Sequence, residues 1–198
     1  MRPKLLPGLA LLAAALALSG CFGGGKAPSE LLTLTPAEAR PAATPRSAGQ
    51  GEAITVAVPA VPQALRTNRI PVYVNETTIQ YLTGGAWVEQ PGALFARLLG
   101  ETIAARTGRV VLDPSQYSND PGSRITGTLV KFGVDPAAMQ VVIVYDAVLA
   151  RSGGNGAVIT NRFEARQPVA EATPAAVAPA LNQAANQLAD QVAAWIGG

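Results

Sequence analysis

Residues 126–166 read TGTLVKFGVDPAAMQVVIVYDAVLARSGGNGAVITNRFEAR. Three apolar, β-branched runs are separated by two turn signals, Asp135-Pro136 and Ser152-Gly153-Gly154-Asn155-Gly156. This is the pattern of an antiparallel meander. The first run, Thr126 to Val134, sets Val130, Phe132 and Val134 on one face. The last, Val158 to Arg166, sets Ile159 and Phe163 on one face and Thr160, Arg162, Glu164 and Arg166 on the other, which is therefore a wet face. The middle run, Met139 to Ala150, differs from both. Met139, Val141, Ile143, Tyr145 and Leu149 share one face; Val142, Val144 and Val148 share the other, interrupted by Asp146. Two readings of this doubly apolar strand stay open: a central strand covered on both sides, or a strand whose second face meets a partner or an acyl chain.

Outward from the meander, helical periods appear on both sides. Val177, Leu181, Ala184, Leu188, Val192 and Trp195 recur every three to four residues, behind Thr173 as N-cap and Pro174 at the first helical position. Pro179 delays or kinks the start of that helix. Residues 91–106 form a second amphipathic helix, opened by Pro91 and closed by Gly108, with Leu94, Phe95, Leu98, Leu99 and Ile103 as its buried stripe. Ile54 to Val58 reads as a strand ended by prolines. Ile70 to Val74 and Thr77 to Leu82 form a hairpin or one bent strand. The expected fold class is α+β: a mixed or antiparallel sheet with two main helices packed on it, in a single domain.

The N-terminal segment carries its own chemistry. Arg2 and Lys4 precede an uncharged Leu/Ala-rich run, Leu5 to Leu18, which falls short of the roughly 20 residues a membrane span needs. Leu18-Ser19-Gly20-Cys21 then resembles a bacterial lipobox, and Cys21 is the chain's only cysteine. Ser19 and Gly20 are small enough for a protease groove, and the thiol is the nucleophile that accepts a diacylglycerol. The expected organisation is a signal peptide over 1–20, a lipidated tether over 21–30 and one domain over 31–198, with Cys21 as the lipid attachment. The Gly-rich and then Pro/Ala/Ser-rich stretches before residue 53 read as tether and loop. Leu31 to Leu34 reads as a short strand. Phe22, rather than an aspartate, follows the cysteine, which favours the outer membrane on its periplasmic face.

Composition narrows the function classes. A net charge of +2 and 5% aromatic residues give no nucleic-acid surface. The absence of histidine excludes Ser-His-Asp and Cys-His catalysis and histidine metal sites. No G-x-S-x-G nucleophile elbow is present. Asp113, Asp120, Asp135 and Asp146 fall at turns or strand ends, where aspartates ordinarily sit. No enzyme, cofactor or metal is expected.

Residues 59–107, PAVPQALRTNRIPVYVNETTIQYLTGGAWVEQPGALFARLLGETIAART, carry a resemblance. The order of short motifs is Leu31 to Leu34, Val58 to Leu65, Arg69 to Val74, Ile79 to Leu82, and Trp87-Val88-Glu89-Gln90-Pro91 opening a helix. This order resembles the ABC-type transport auxiliary lipoprotein family. Leu32 stands where an aromatic is common. The resemblance implies a non-enzymatic envelope lipoprotein working beside an MCE-domain protein of an ABC transporter that moves lipid between membranes. It also places residues 31–34 in the sheet. A structural or assembly lipoprotein, of the lipopolysaccharide-assembly or secretion-pilotin type, is the alternative. A homo-oligomer is expected, and the candidate interface residues are Tyr81, Trp87, Val142, Val144 and Val148.

Overall fold

The computed structural model describes residue 28 and residues 30–38, 46–115, 122–152 and 156–197. The signal peptide, Cys21, most of the tether, Asp120 and the tip of the 152–156 turn lie outside the described residues.

The meander is the centre of the fold. β7 (Ser123–Asp135), β8 (Gln140–Ala150) and β9 (Val158–Pro168) pair antiparallel in sequence order. The far edge of β7 is served by several segments in turn. β2 (Ile54–Val56) runs parallel to residues 123–125, Ala60 bridges Thr128, and β3 (Pro71–Tyr73) pairs in parallel with Val134. β4 (Ile79–Tyr81) closes an antiparallel hairpin on β3, and the two-residue β6 (Val111–Leu112) flanks β2. The seven strands make one mixed sheet. β1 (Glu30–Leu32) is not part of it. It pairs in parallel with β5 (Gly85–Trp87) as a separate two-stranded sheet, and residues 33–36 leave it as coil.

Two helices cover one face of the large sheet. α1 (Pro91–Thr107) starts at a proline, whose missing N–H costs nothing in the first turn, and ends on Gly108 at φ 70°, the left-handed cap that glycine adopts without penalty. α2 (Pro174–Gly197) runs 24 residues and accommodates Pro179 early in its course without interruption. The Thr173 hydroxyl donates to Glu171 at 3.1 Å, so its contribution to the start of α2 is its carbonyl, which accepts the Val177 N–H at 2.9 Å. The odd-numbered face of β8 (Val141, Ile143, Tyr145, Ala147 and Leu149) belongs to the core shared with both helices. Phe95 of α1 meets Tyr145 edge-on at 5.2 Å, and Phe163 of β9 meets Trp195 of α2 at 5.6 Å. Met139, expected on that face, is in the preceding turn at φ 47° and is exposed.

β7 corrects the expected alternation. Its register with β8 shifts between Leu129 and Lys131, so Val130 is the extra residue of a β-bulge, and Leu129, Phe132 and Val134 face the core. On the edge of β7 between its pairings with Ala60 and with β3, the Phe132 N–H donates to the Tyr73 hydroxyl at 3.1 Å. Tyr73 reaches that position because residue 133 is glycine: a Cβ there would lie 2.2 Å from the Pro71 carbonyl oxygen and 3.1 Å from the Tyr73 ring.

The chain from β1 to β2 is laid along the helices. Leu34 enters the core. The Thr35 N–H donates to Asn182 Oδ1 at 2.8 Å and the Ala37 N–H to Asn186 Oδ1 at 2.7 Å, while Asn186 Nδ2 donates to the carbonyls of Thr35 and Asn182, both at 2.9 Å. Two asparagines one turn apart on α2 thus satisfy an extended backbone that no strand pairs. Both helices start at the β5 end. Trp87 leads within three residues into α1, and Pro174 lies 2.9 Å from where a Gly85 Cβ would be. They therefore run the same way.

Asn186→Ala removes those bonds and strands the Thr35 carbonyl and the Ala37 N–H. At about 1 kcal/mol per bond the expected loss is about 2–3 kcal/mol, or about 5–10 °C in Tm for a domain of this size. Thermal denaturation followed by circular dichroism checks it.

Candidate partner-docking face

Because helices cover only one face of the β7–β8–β9 sheet, the even-numbered residues of β8 point away from them. Val142 and Val144 are only 2% and 6% exposed, yet neither belongs to the core cluster. On this face the Tyr73 ring lies 3.1 Å from where a Gly133 Cβ would be, next to Val142, and strand neighbours flank both valines. Val144 is flanked by Lys131 and Glu164, and Val142 by Gly133 and Arg166. The aliphatic stems of these long side chains lie beside the valines while their charged ends stay in water. Val148, half-buried, has Thr126 and Thr160 beside it. The second face of β8 is thus a strip of three valines set in a charged surface, and among the described residues no helix is layered over it.

The charges on this face are ordered by pairing. Arg162 grips Asp146 through both ends of its guanidinium, Nε at 2.6 Å and Nη2 at 2.7 Å. Those hydrogen bonds hold the Asp146 carboxyl below its ordinary pKa, and raise that of Arg162. Arg166 pairs with Glu164 on its own strand and lies 3.8 Å from Asp135. Lys131 sits 5.4 Å from the centre of the Tyr73 ring, whose hydroxyl is pushed up by burial. A bidentate Arg–carboxylate pair has a fixed geometry, so this face offers a partner a defined arrangement of donors and acceptors.

The other sequence-predicted residues separate. Tyr81, on the outer strand β4, is half-buried; its hydroxyl donates to the Ala64 carbonyl at 3.3 Å and the Arg69 guanidinium stacks 4.2 Å from its ring. It is away from the valines, beside the exposed Ile79. Trp87 is not on any surface of the chain: it is fully buried and meets Phe132 edge-on at 5.5 Å. Its backbone N–H donates to the Asn68 carbonyl, and its indole N–H has no partner among the described residues. The residue expected at an interface is a core anchor, because the short β5 turns it inward beneath the bulge of β7. Cys21 lies outside the described residues. Among the described residues no group of three or more His, Cys, Asp and Glu is placed to hold a metal ion, and no helix is long and apolar enough to cross a membrane. The charged residues around the valines were visible in the sequence as the wet face of the last strand. Tyr73 and Lys131 carried no such signal, since their placement depends on the bulge.

A sequence profile of the ABC-type transport auxiliary lipoprotein component matches residues 32–193. The chain belongs to this family. As a member it is a lipoprotein that acts as an auxiliary component of an ABC-type transport system. Solved structures show the same fold. A crystal structure of an uncharacterized protein superposes with a TM-score of 0.64 at 16% identity, covering 86% of this chain and 97% of its own. A Xanthomonas campestris protein of the family DUF330 superposes with a TM-score of 0.61 at 20% identity, covering 85% of this chain and 92% of its own. A looser likeness is to a dodecameric PelC from Paraburkholderia phytofirmans, with a TM-score of 0.43 at 14% identity, covering 75% and 90%. No curated protein sequence matches the auxiliary lipoprotein described here.

The Asp146–Arg162 pair gives this face a pH signature. A carboxyl whose folded pKa is depressed adds stability that is present above its unfolded value, about 3.9, and is lost as pH falls through the lower folded value. Carboxyl-detected NMR should find Asp146 titrating below that value and Arg162→Gln moving it up. Because both side chains are well exposed, solvent screens the pair and the stability at neutral pH should change little.

Proposed function

We propose that this auxiliary lipoprotein is a non-enzymatic contact component of an MCE-type ABC lipid-transport system. It is anchored through acylated Cys21 to the periplasmic face of the outer membrane, and it works as a homo-oligomer whose open sheet face meets a second copy or the MCE-domain protein. The observation that carries the reading is the family match across nearly the whole domain. Three features support its finer parts. The Leu18-Ser19-Gly20-Cys21 segment has the chemistry of a lipidation site, and Phe22 stands where an aspartate would favour the inner membrane. Two or three acyl chains on one residue hold a protein firmly where a single chain does not. Confinement on a membrane raises effective concentration, so modest contacts suffice for assembly.

The valine strip explains how contact is made. Val142, Val144 and Val148 on β8 lie on the face that no helix among the described residues covers, and Arg162–Asp146 and Arg166–Glu164 supply a polar rim around them. An apolar centre with a hydrogen-bonding rim is the usual anatomy of a protein interface.

Two variants test the reading. Cys21→Ser should leave an unprocessed precursor carrying no palmitate; a variant that is still cut and still labelled contradicts the lipid anchor. Val144→Asp puts a carboxylate between Lys131 and Glu164 at a position only 6% exposed, so its effect is read on the protein that circular dichroism shows to be folded. It should lower self-association and recovery of the MCE-domain protein from cross-linked envelopes about tenfold, the scale of one lost contact of about 1.4 kcal/mol. Circular dichroism and light scattering check folding and oligomeric state. A folded Val144→Asp variant that assembles and captures its partner like the wild type removes this face from the account. A wild-type protein that is monomeric and recovers a secretin or an outer-membrane β-barrel instead of an MCE-domain protein selects the assembly-lipoprotein alternative.

A further inference from the structure

Both helices end on the side of the domain away from β1 and β5, where Glu30 leads back in sequence toward Cys21. At about 1.5 Å per residue, α2 carries the chain about 30 Å from that side. There the end of α1, the last turns of α2, the loop before β2 and the end of β8 surround an open cleft of about 1020 Å³. One wall is apolar, formed by Ala193 and Ile196 of α2 and by Val110. The lining of the cleft also carries Arg106 and Arg109 from the end of α1 and the turn after it, and Arg151 just past β8.

These arginines are not equivalent. Arg106 is engaged: it donates to both oxygens of Asp190 at 2.8 and 3.1 Å and pairs with Glu38 at 3.2 Å. Arg46 donates to the Ala104 carbonyl and the Thr107 hydroxyl to the Ile103 carbonyl at 2.7 Å, so the carbonyls at the end of α1 are served without Arg109 or Arg151. Arg109 donates its Nε–H to the Glu52 carbonyl at 2.9 Å, which fixes its guanidinium at the cleft. Among the described residues, neither Arg109 nor Arg151 has a carboxylate within 4.0 Å. Burial, and next the charge of Arg151, push the Arg109 pKa down, against an opposing pull from Glu52. The Glu52 carboxylate accepts the Gly49 N–H at 2.8 Å. Two guanidinium groups that line one cleft, with no carboxylate within 4.0 Å of either among the described residues, leave an anion's place at the mouth of an apolar-walled cleft.

We propose that this cleft binds a phosphate-bearing anion through Arg109 and Arg151 acting together, with the apolar wall of α2 beside any hydrocarbon the anion carries. The chemistry is that of planar guanidinium groups, which match phosphate oxygens in pairs. The inference rests on the cleft alone and stands whether or not the sheet face is the docking surface. Two sources share the chemistry, a lipid headgroup and free phosphate, and the apolar wall favours the lipid.

Calorimetric titration of the detergent-solubilised full chain with dihexanoyl phosphatidic acid, and separately with inorganic phosphate, tests it. Binding of the lipid at least about tenfold tighter than phosphate, with about a tenfold loss for Arg151→Gln and more for Arg109→Gln/Arg151→Gln, is the expected result. Among the described residues Arg151 makes no side-chain hydrogen bond for Arg151→Gln to break, so the fold is kept. Arg97→Gln, an exposed arginine paired with Glu89 near the start of α1, should change nothing. Equal affinity for both ligands with the same arginine dependence supports the anion site and assigns it to free phosphate. Absence of binding of either ligand at millimolar concentration overturns the proposal, as does binding that Arg97→Gln weakens as much as Arg151→Gln.

Discussion

A sheet with helices on one side only has to make its two faces chemically different, and in this domain that constraint falls on β8. Tyr145, at its centre, packs edge-on against Phe95 of α1, and its hydroxyl reaches back to the Thr126 carbonyl at 2.8 Å. Its ring lies 2.9 Å from where a Gly127 Cβ would stand. Once Tyr145 is fixed inward, Val141, Ile143, Ala147 and Leu149 follow it, and Val142, Val144 and Val148 are committed to the other face. The bulge at Val130 then preserves the parity of β7 by turning Leu129 and Phe132 to the same side. The Tyr73 hydroxyl meets the Phe132 N–H on the edge of β7, which ties β3 to the meander.

The same asymmetry organises the molecule along its length. Two helices that start together at β5 and run in the same direction give the domain one end near the strand β1 and another at the Arg106–Asp190 pair. The chain that leaves β1 is held along α2 by Asn182 and Asn186. Whatever pulls on the N-terminus therefore acts first on the small β1–β5 sheet and these side-chain bonds, not on the central ladder.

Much of this was legible in the residues. The alternation in Val141 to Leu149, the stripe of Leu94, Leu98 and Ile103, and the period of Val177 to Trp195 are long, regular signals, and each corresponds to an element in place. Gly108 and Pro91 marked the ends of α1. What escaped has a common cause. β5 and β6 are three and two residues long, too short for any period to show. Val130 was assigned inward because a bulge breaks a two-residue repeat without changing composition. Leu31 and Leu32 read as a strand, but their pairing with β5 rather than the main sheet is a tertiary choice across a long sequence separation. Trp87 has the composition of a contact residue and the position of a core residue, and only β5 decides between them. The valines of β8 were visible, whereas the absence of a second layer over them was not.

The central claim is that the face of β8 bearing Val144 is where this auxiliary lipoprotein meets its partner. Hydroxyl-radical footprinting of the acylated protein in proteoliposomes, alone and with the MCE-domain protein, addresses it most directly. The account predicts that binding lowers modification of the β7–β9 face, at Lys131, Arg162 and Arg166 around the valines, and leaves the exposed positions of α2 such as Gln191 unchanged. Protection confined to the helical side, with the valine face modified equally in both states, would contradict it.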